Sequence, residues 1–157
     1  EAVRRELAKQ GEIITTAQKA MAPDEDGDLR ASIEWRYGDQ DRIKYASLRA
    51  KGGSKRDPGM SVSITAGNNR VRYAHLVEFG TKPHVIKPRS SNQSLSINGN
   101  QLAPGQSVQH PGAKAKPFFW PIWRNYRKKS MRAISKAARD AINKMKSRAA
   151  QVTTPAR

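Results

Sequence analysis

YAHLVEFGT, residues 73–81, is the stretch that decides the fold of this chain of 157 residues. Its apolar residues recur at helical spacing and a glycine follows them, which predicts a short amphipathic helix ended by Gly80. After a long loop come HPG at residues 110–112 and PFFWP at residues 117–121. PFFWP predicts an aromatic anchor between two prolines, from which a final helix begins. These stretches contain no catalytic set of residues.

An amphipathic pattern also opens the chain. Apolar residues recur at spacings of 4, 7, 3 and 4, so they share one face of a helix expected over residues 2–21. Pro23 ends this helix, because the residue before a proline is pushed away from helical backbone angles. The apolar face consists of Val3, Leu7, Ile14, Ala17 and Met21.

Alternating apolar and polar residues predict β-strands at residues 31–37 and 60–65. A third strand is expected from Ile43, Tyr45 and Leu48. Each strand has one apolar side, so the expected fold class is α+β. In this fold a small antiparallel sheet packs against the amino-terminal helix and a long carboxy-terminal helix, and a long β-arm or loop joins them.

The expected arm covers residues 82–116, which hold several prolines, Ser, Asn and Gly, and only short apolar runs. A loop of this length is uncommon in compact domains and is usually functional or disordered where it occurs. We interpret it as an extended β-arm that contacts a neighbouring molecule. Its expected strands are a hairpin between Val85-Ile86 and Leu95-Ser96-Ile97, and a further strand at Val108.

A long basic helix is expected from about residue 117 to 150, with a frayed tail at 151–157, and residues 1–157 are taken as one domain. About 30 helical residues span about 45 Å, against a radius of gyration of about 15 Å for a domain of this size. The far end should therefore project or lie along another helix. The apolar stripe consists of Trp123, Tyr126, Ile134, Ala138, Ala141, Met145 and Ala149.

The net charge of +17 is concentrated in the second part of the chain. Residues 58–157 hold 18 Lys and Arg, against only Glu78 and Asp140. Such a field favours polyanions or an acidic protein surface without choosing between them. The chain has no cysteine, which excludes thiol redox chemistry, and no run of 18 apolar residues, so no membrane partner is expected.

Asp24, Asp26 and Asp28 lie at alternate positions, as at the start of a calcium-binding loop. The glycine and the closing glutamate of such a loop would fall at Leu29 and Trp35. A solvated turn is therefore the better interpretation.

His75, His84 and His110 are the only histidines, and a zinc site needs three or four converging ligands. The sequence shows no series of nucleophile, base and orienting group, because its serines lie in loops or strands without a glycine elbow. We therefore expect no enzyme, no cofactor and no metal site.

Glu78 and the aromatic anchor each leave two interpretations open. Glu78 forms either a surface salt bridge, worth under about 1 kcal/mol, or a pair with a basic residue of a neighbouring subunit. Phe118, Phe119 and Trp120 either anchor a partner or place two of the three rings in the interior and leave one for contact.

Four blocks, taken together, resemble a known family. They are the turn at 23–33, the stretch at 73–81, HPG at 110–112 and the Pro-Phe pair at 117–118, in that order. This layout is similar to the tail-completion, or neck, proteins of long-tailed bacteriophages. That family comprises the gene-ten products of lambdoid phages and is often grouped with the minor tail protein Z of lambda. The resemblance covers roughly residues 20–125.

The resemblance implies a structural virion protein with no turnover, assembled in the host cytoplasm and located in the neck or tail of the particle. Copies would form a homo-oligomeric ring, of six or twelve subunits, between a head-side connector or stopper protein and the tail tube or tail terminator protein. The alternative is a DNA-binding protein that uses the basic helix, and a transient contact with genomic DNA is compatible with either. The expected interface residues are Tyr73, His75, Glu78, Phe79, Gly80, Thr81, His84, His110, Phe118, Phe119, Lys128, Arg132 and Lys136.

Overall fold

The computed structural model describes residues 1–23, 27–38, 46–53, 58–97 and 99–152. They confirm the α+β class, with an amino-terminal helix, small antiparallel sheets and a long carboxy-terminal helix. The helices are α1 (Ala2–Met21), α2 (Asp28–Ala31), α3 (Ala74–Phe79) and α4 (Trp120–Val152). The strands are β1 (Glu34–Tyr37), β2 (Leu48–Gly53), β3 (Ser61–Ala66), β4 (His84–Ile86), β5 (Ser96–Ile97), β6 (Asn100–Gln101) and β7 (Val108–His110).

The main sheet has the strand order β1–β3–β2, and both pairs are antiparallel. Ile64 at the centre of β3 lies opposite Trp35 of β1 and Ala50 of β2. The first strand begins later than the sequence predicts, because residues 28–31 form the helical turn α2 after Gly27, whose φ is +75°. Leu48 of the expected third strand opens β2, whereas Ile43 and Tyr45 lie outside the described residues, as do Asp24 and Asp26.

α1 packs on this sheet through Leu7 and Ile14, which are buried beside Val62 and Ile64. Gly11 permits the close approach, since a Cβ atom at this position would lie 2.9 Å from Trp35 Cδ2. The apolar face of α1 is therefore confirmed along most of its length. Its last residue is an exception, because the Met21 side chain is exposed.

α4 runs antiparallel to α1 across the same core. Gln18 Nε2 donates to the Phe119 carbonyl (3.1 Å) and Ser130 Oγ donates to Gln10 Oε1 (2.8 Å). From residue 142 onward the described side chains of α4 are exposed. At 1.5 Å per residue this segment extends for roughly 15 Å past the core, which agrees with the expected projection.

The arm pairs differently from the prediction. Val85 and Ile86 of β4 pair with β7, and β5 pairs with β6 in a separate two-stranded hairpin. The reason is that Thr81 and Ala113 form a bridge at the base of the arm, which sets the register of β4 against β7. Within the described ranges, no helix is both long enough and apolar enough to cross a membrane.

Candidate functional site

Glu78 ties α3 to the start of α4. Its Oε2 accepts hydrogen bonds from the backbone N–H groups of Phe118 (2.8 Å) and Phe119 (2.9 Å), and its Oε1 accepts one from Trp120 (3.0 Å). The first N–H groups of a helix have no partner within the helix, and the helix dipole favours a negative charge there. Glu78 therefore acts as a cap that is supplied from another helix.

The position of Glu78 corrects both interpretations made from the sequence. The residue is 2% exposed, and its carboxylate is occupied within the chain by three backbone donors. It takes part neither in a surface salt bridge nor in an exposed contact with a neighbouring subunit. Charge-assisted hydrogen bonds of this kind are about twice as strong as neutral ones, so Glu78 contributes to stability.

Gly80 and Thr81 join the end of α3 to the segment before α4. Gly80 has φ +71°, and a Cβ atom there would lie 2.6 Å from the Ala113 carbonyl oxygen and 2.8 Å from Ala115 N. Thr81 N donates to the Ala113 carbonyl (2.9 Å), and Ala113 N donates to the Thr81 carbonyl (3.1 Å) and Oγ1 (2.8 Å). Only glycine meets both the backbone angle and the close approach at position 80.

We call residues 73–81 and 110–120 together the corner. A further backbone bond, from Lys116 N to the Val77 carbonyl (2.8 Å), holds its two halves together. The two stretches that stand out in the sequence, YAHLVEFGT and PFFWP, are therefore parts of one contact. This contact joins residues about 40 positions apart, so no local sequence pattern predicts it.

Within this corner, Phe118 and Phe119 are fully buried, with their rings edge to face at 6.4 Å. Trp120 is half-buried and its ring lies 5.3 Å from Phe119. Two of the three rings are thus in the interior, as the second interpretation of the anchor predicts. The expectation that Phe118 and Phe119 themselves touch a partner is corrected, because neither side chain reaches the surface.

The outer face of α3 carries exposed apolar side chains. α3 buries Ala74 and Glu78, so Tyr73, Leu76 and Phe79 point outward, and Phe79 is 64% exposed. A shallow groove of about 330 Å³ lies alongside. It is bounded by Pro23, Gly27, Leu29, Tyr73, Leu76, Val77, Ala113, Lys114 and Lys116.

The histidines divide into one surface residue and one pair. His75 is exposed on α3, whereas His84 and His110 lie opposite each other on β4 and β7 with ring centroids 5.0 Å apart. His84 Nδ1 lies 2.9 Å from the Lys82 carbonyl, so it donates, while His110 Nδ1 accepts from Gly112 N–H at 3.0 Å. The described part of the chain has no cluster of three or more acidic or histidine side chains placed to hold a metal ion.

Lys128, Arg132 and Lys136 are exposed on α4, away from the corner. At 1.5 Å per residue they lie roughly 12 to 24 Å along the helix from Trp120. Lys136 Nζ forms an exposed pair with Asp140 Oδ2 at 3.2 Å. The structure therefore divides the accessible members of the expected interface set between two surfaces, one on α3 and the arm, and one on α4.

A comparison with known protein families finds a match to the amino-terminal part of the chain. A family model described as "Bacteriophage HK97-gp10, putative tail-component" matches residues 1–80, just over half of the chain. The matched part runs from α1 through the main sheet to Gly80, so it includes all but the last residue of YAHLVEFGT and stops before HPG and PFFWP. No curated protein and no solved structure matches the chain. On the extent of this match, the chain belongs to the HK97 gp10-like family of bacteriophage tail components.

Proposed function

We propose that this protein is a tail-completion or neck subunit that forms a ring at the head–tail junction of a long-tailed phage. It joins a head-side connector or stopper protein to the tail tube or tail terminator protein. Membership of a phage tail-component family supports a structural role in the particle. Beyond this role, we propose that the protein assembles in the host cytoplasm, that it forms a ring, and that the ring lies at the neck.

The observation that carries the proposal is the outer face of α3. Three large apolar side chains are exposed there, Leu76 and Phe79 on the six-residue helix and Tyr73 just before it, and Phe79 is the most exposed of them. Contiguous exposed apolar surface on a folded protein marks an interaction site. The corner behind it is held by backbone hydrogen bonds and by Glu78, so this face is presented on a rigid base.

In the proposed ring, one surface of a subunit contacts a different surface of the next. Such a head-to-tail contact closes into a ring when its rotation permits. The first surface comprises the outer face of α3 and the base of the arm, whereas the basic face of α4 meets an acidic neighbour in the particle. The proposed contact residues are Tyr73, His75, Phe79, Gly80, Thr81, His84, His110, Lys128, Arg132 and Lys136. The protein then acts by adhesion and shape, with residues 1–157 as one unit and without turnover.

The test is particle mass at low micromolar concentration, followed by electron microscopy. The wild-type chain should form a closed ring of six or twelve copies, whereas Phe79→Ser should remain a folded monomer. Ile13→Ser is the matched control, since Ile13 is an exposed apolar residue on α1, and it should still form rings. The proposal would be refuted if Phe79→Ser formed rings of normal size. It would also be refuted if assembled particles contained single copies of the wild-type chain instead of a ring.

A second test removes the tip of the arm. Gly105 N donates to the Gln93 carbonyl at 3.2 Å, so the chain returns to the same place on either side of residues 94–104. Replacing these residues by two glycines should leave a folded protein that no longer joins particles. Normal incorporation of this variant would exclude the tip from the interface.

DNA binding by α4 is the second candidate. α4 carries ten Lys or Arg and a single acid, Asp140. If it contacts six to ten phosphates, affinity for duplex DNA should fall by about 10³- to 10⁵-fold between about 50 and 200 mM salt. Reversal of Lys128, Arg132 and Lys136 to glutamate separates the candidates. Lost DNA retention with normal ring assembly favours DNA, and lost assembly favours the protein contact.

A further inference from the structure

α4 carries two apolar stripes in place of the single one predicted from the sequence, because Met145 is exposed whereas Trp123 and Ile134 pack against the core. The members of the exposed stripe alternate at spacings of four and three residues, which is the spacing of the core positions of a coiled coil. One of the six is serine and the others are apolar. The stripe, which we call the seam, consists of Met131, Ser135, Ala138, Ile142, Met145 and Ala149.

The seam faces solvent. Met131, Ile142 and Met145 are 44%, 52% and 71% exposed, although neighbouring Ile134 packs against the core. The stripe that contains Ile134 is covered by α1 and the sheet. The adjacent seam is not covered by any described part of the chain, so it is accessible to another molecule. Single exposed apolar residues are ordinary on a protein surface, but three at heptad spacing on one helix are not.

A row of cations follows one side of the seam. Arg132, Arg139 and Lys146 recur every seven residues, each directly after a seam residue. In coiled coils this flanking position forms salt bridges with the partner helix and decides which partner is accepted. The row therefore requires acidic side chains on the helix that covers the seam.

A second copy of this chain does not meet that requirement. α4 holds ten cations against Asp140, and α1 holds four cations against Glu6 and Glu12. Pairing either helix with α4 would place like charges opposite the cation row, which destabilises the contact. The occupant must therefore come from a different protein.

DNA and lipid surfaces fit the seam less well. Phosphates would satisfy the cations but would leave Ile142 and Met145 in water, since base edges are not offered to the side of a helix lying on the backbone. Helices that bind membrane surfaces carry Trp, Phe or Leu on the apolar face, whereas the seam has small alanines between methionine and isoleucine. Small residues suit the close approach of another helix.

We infer that the seam of α4 docks an acidic amphipathic helix of another particle protein, with its carboxylates against Arg132, Arg139 and Lys146. The inference deepens the proposed function by naming the chemistry of one partner, and it rests on that function only for the source of the helix. Docking itself requires no ring, so the two ideas can fail separately.

The test uses two synthetic peptides of four heptads with identical leucine core positions. One has glutamate at the flanking positions and the other has lysine. Fluorescence anisotropy of each labelled peptide is followed as the full chain is added, at about 50 and 300 mM salt. The glutamate peptide should bind, more weakly at high salt, and the lysine peptide should not. Equal binding of the two peptides, or binding of neither, would overturn the inference.

Variants separate the seam from general charge attraction. Ile142→Ser with Met145→Ser should weaken glutamate-peptide binding by about tenfold or more, since it removes two buried apolar side chains from the complex. The control Asn143→Ser with Ser147→Ala, off the seam on the same turns, should bind like wild type. A seam variant that binds as well as the control would contradict the docking.

The cation row is tested by charge reversal. Arg132, Arg139 and Lys146 changed to glutamate should switch the preference to the lysine peptide. The same change in net charge at Lys129, Lys136 and Lys144, which lie off the row, should weaken glutamate-peptide binding without switching it. Identical behaviour of the two triple variants would show that only net charge matters.

Three further measurements test alternative occupants of the seam. Seam-dependent self-association in sedimentation velocity would assign the seam to a second copy. Seam-dependent binding of vesicles with anionic lipid would assign it to a membrane surface. Duplex DNA that displaces the glutamate peptide from wild type and from the seam variant alike would assign the helix to nucleic acid. Each result would overturn the inference.

Discussion

The two ends of α4 differ in nearly every physical respect, although they belong to one uninterrupted helix. The amino end is partly buried, capped by Glu78 and preceded by the buried rings of Phe118 and Phe119. The carboxyl end from residue 142 is exposed and rich in cations, with Ile142 and Met145 facing solvent. The difference shows that the amino end holds the fold together and that the carboxyl end is available for partners.

The largest effect is expected from Glu78→Ala. This change leaves three backbone donors at the start of α4 without their acceptor, and each buried unsatisfied group costs about 1 to 3 kcal/mol. The free energy of unfolding should fall by about 3 kcal/mol or more, measured by urea denaturation. Glu78→Gln should recover part of the loss, since its amide oxygen can still accept from Phe118 and Phe119 while the NH₂ group would face the Trp120 N–H donor.

Glu34→Ala is the control for that experiment. Glu34 pairs with Arg36 at 2.9 Å on the surface, and exposed pairs contribute about 0 to 1 kcal/mol. If Glu78→Ala were as mild as Glu34→Ala, the amino end of α4 would not depend on the corner, and the contrast between the two ends would weaken.

Gly80→Ala should lower the free energy of unfolding by about 2 kcal/mol, by combining backbone strain at positive φ with a steric clash. Gly99→Ala separates the two causes. Gly99 also has positive φ, at +81°, but an added Cβ would meet nothing within 4 Å. Gly99→Ala should cost about 1 kcal/mol, from strain alone. Equal losses at both positions would mean that the close approach of Gly80 to Ala113 is unimportant.

Gly11→Ala tests the packing of α1 on the sheet, with an expected loss of about 1 kcal/mol. Alanine favours the helix by about 1 kcal/mol, but its Cβ would force the Trp35 ring to move at greater cost. In a Trp35→Leu background the same change should stabilise the protein. Thermal unfolding of the four proteins gives the sign directly, and stabilisation in the wild-type background would show that Trp35 yields freely.

The smallest effect is expected at the carboxyl end. Ile142→Ser with Met145→Ser should change the free energy of unfolding by less than about 0.5 kcal/mol, because both side chains already face water. Circular dichroism during urea denaturation measures it. A loss comparable with that of Glu78→Ala would mean that the seam is covered within the chain, and the two ends would no longer differ in role.

The periodic elements of the fold could be predicted from the sequence. Leu7 and Ile14 share a helical face and Trp35 lies in an alternating strand, and both patterns result from burial on one side. The local signal was misleading at Ala31, where a glycine-led helical turn replaces the start of the strand. In the arm, strands of two or three residues are too short for alternation to determine their partners.

The chemistry of the corner could be predicted only in part. Glu78 is one of only two acids in a basic half-chain, which marks it in the sequence, but its partners are backbone groups 40 to 42 residues away. Backbone N–H groups are present at every residue except proline, so no side-chain pattern marks which ones a carboxylate will meet. The burial of two of the three aromatic rings was predictable, because their volume between prolines favours the interior.

The bridge between Thr81 and Ala113 has a consequence for the evolution of the molecule. Together with the pairing of β4 and β7 it brings the two ends of the arm side by side, so that the tip forms a closed loop outside the core. Doubling the length of a flexible loop costs only about 0.6 kcal/mol of closure entropy. Insertions and replacements between residues 87 and 107 should therefore cost the fold little, so this segment tolerates changes of length and sequence better than the core does.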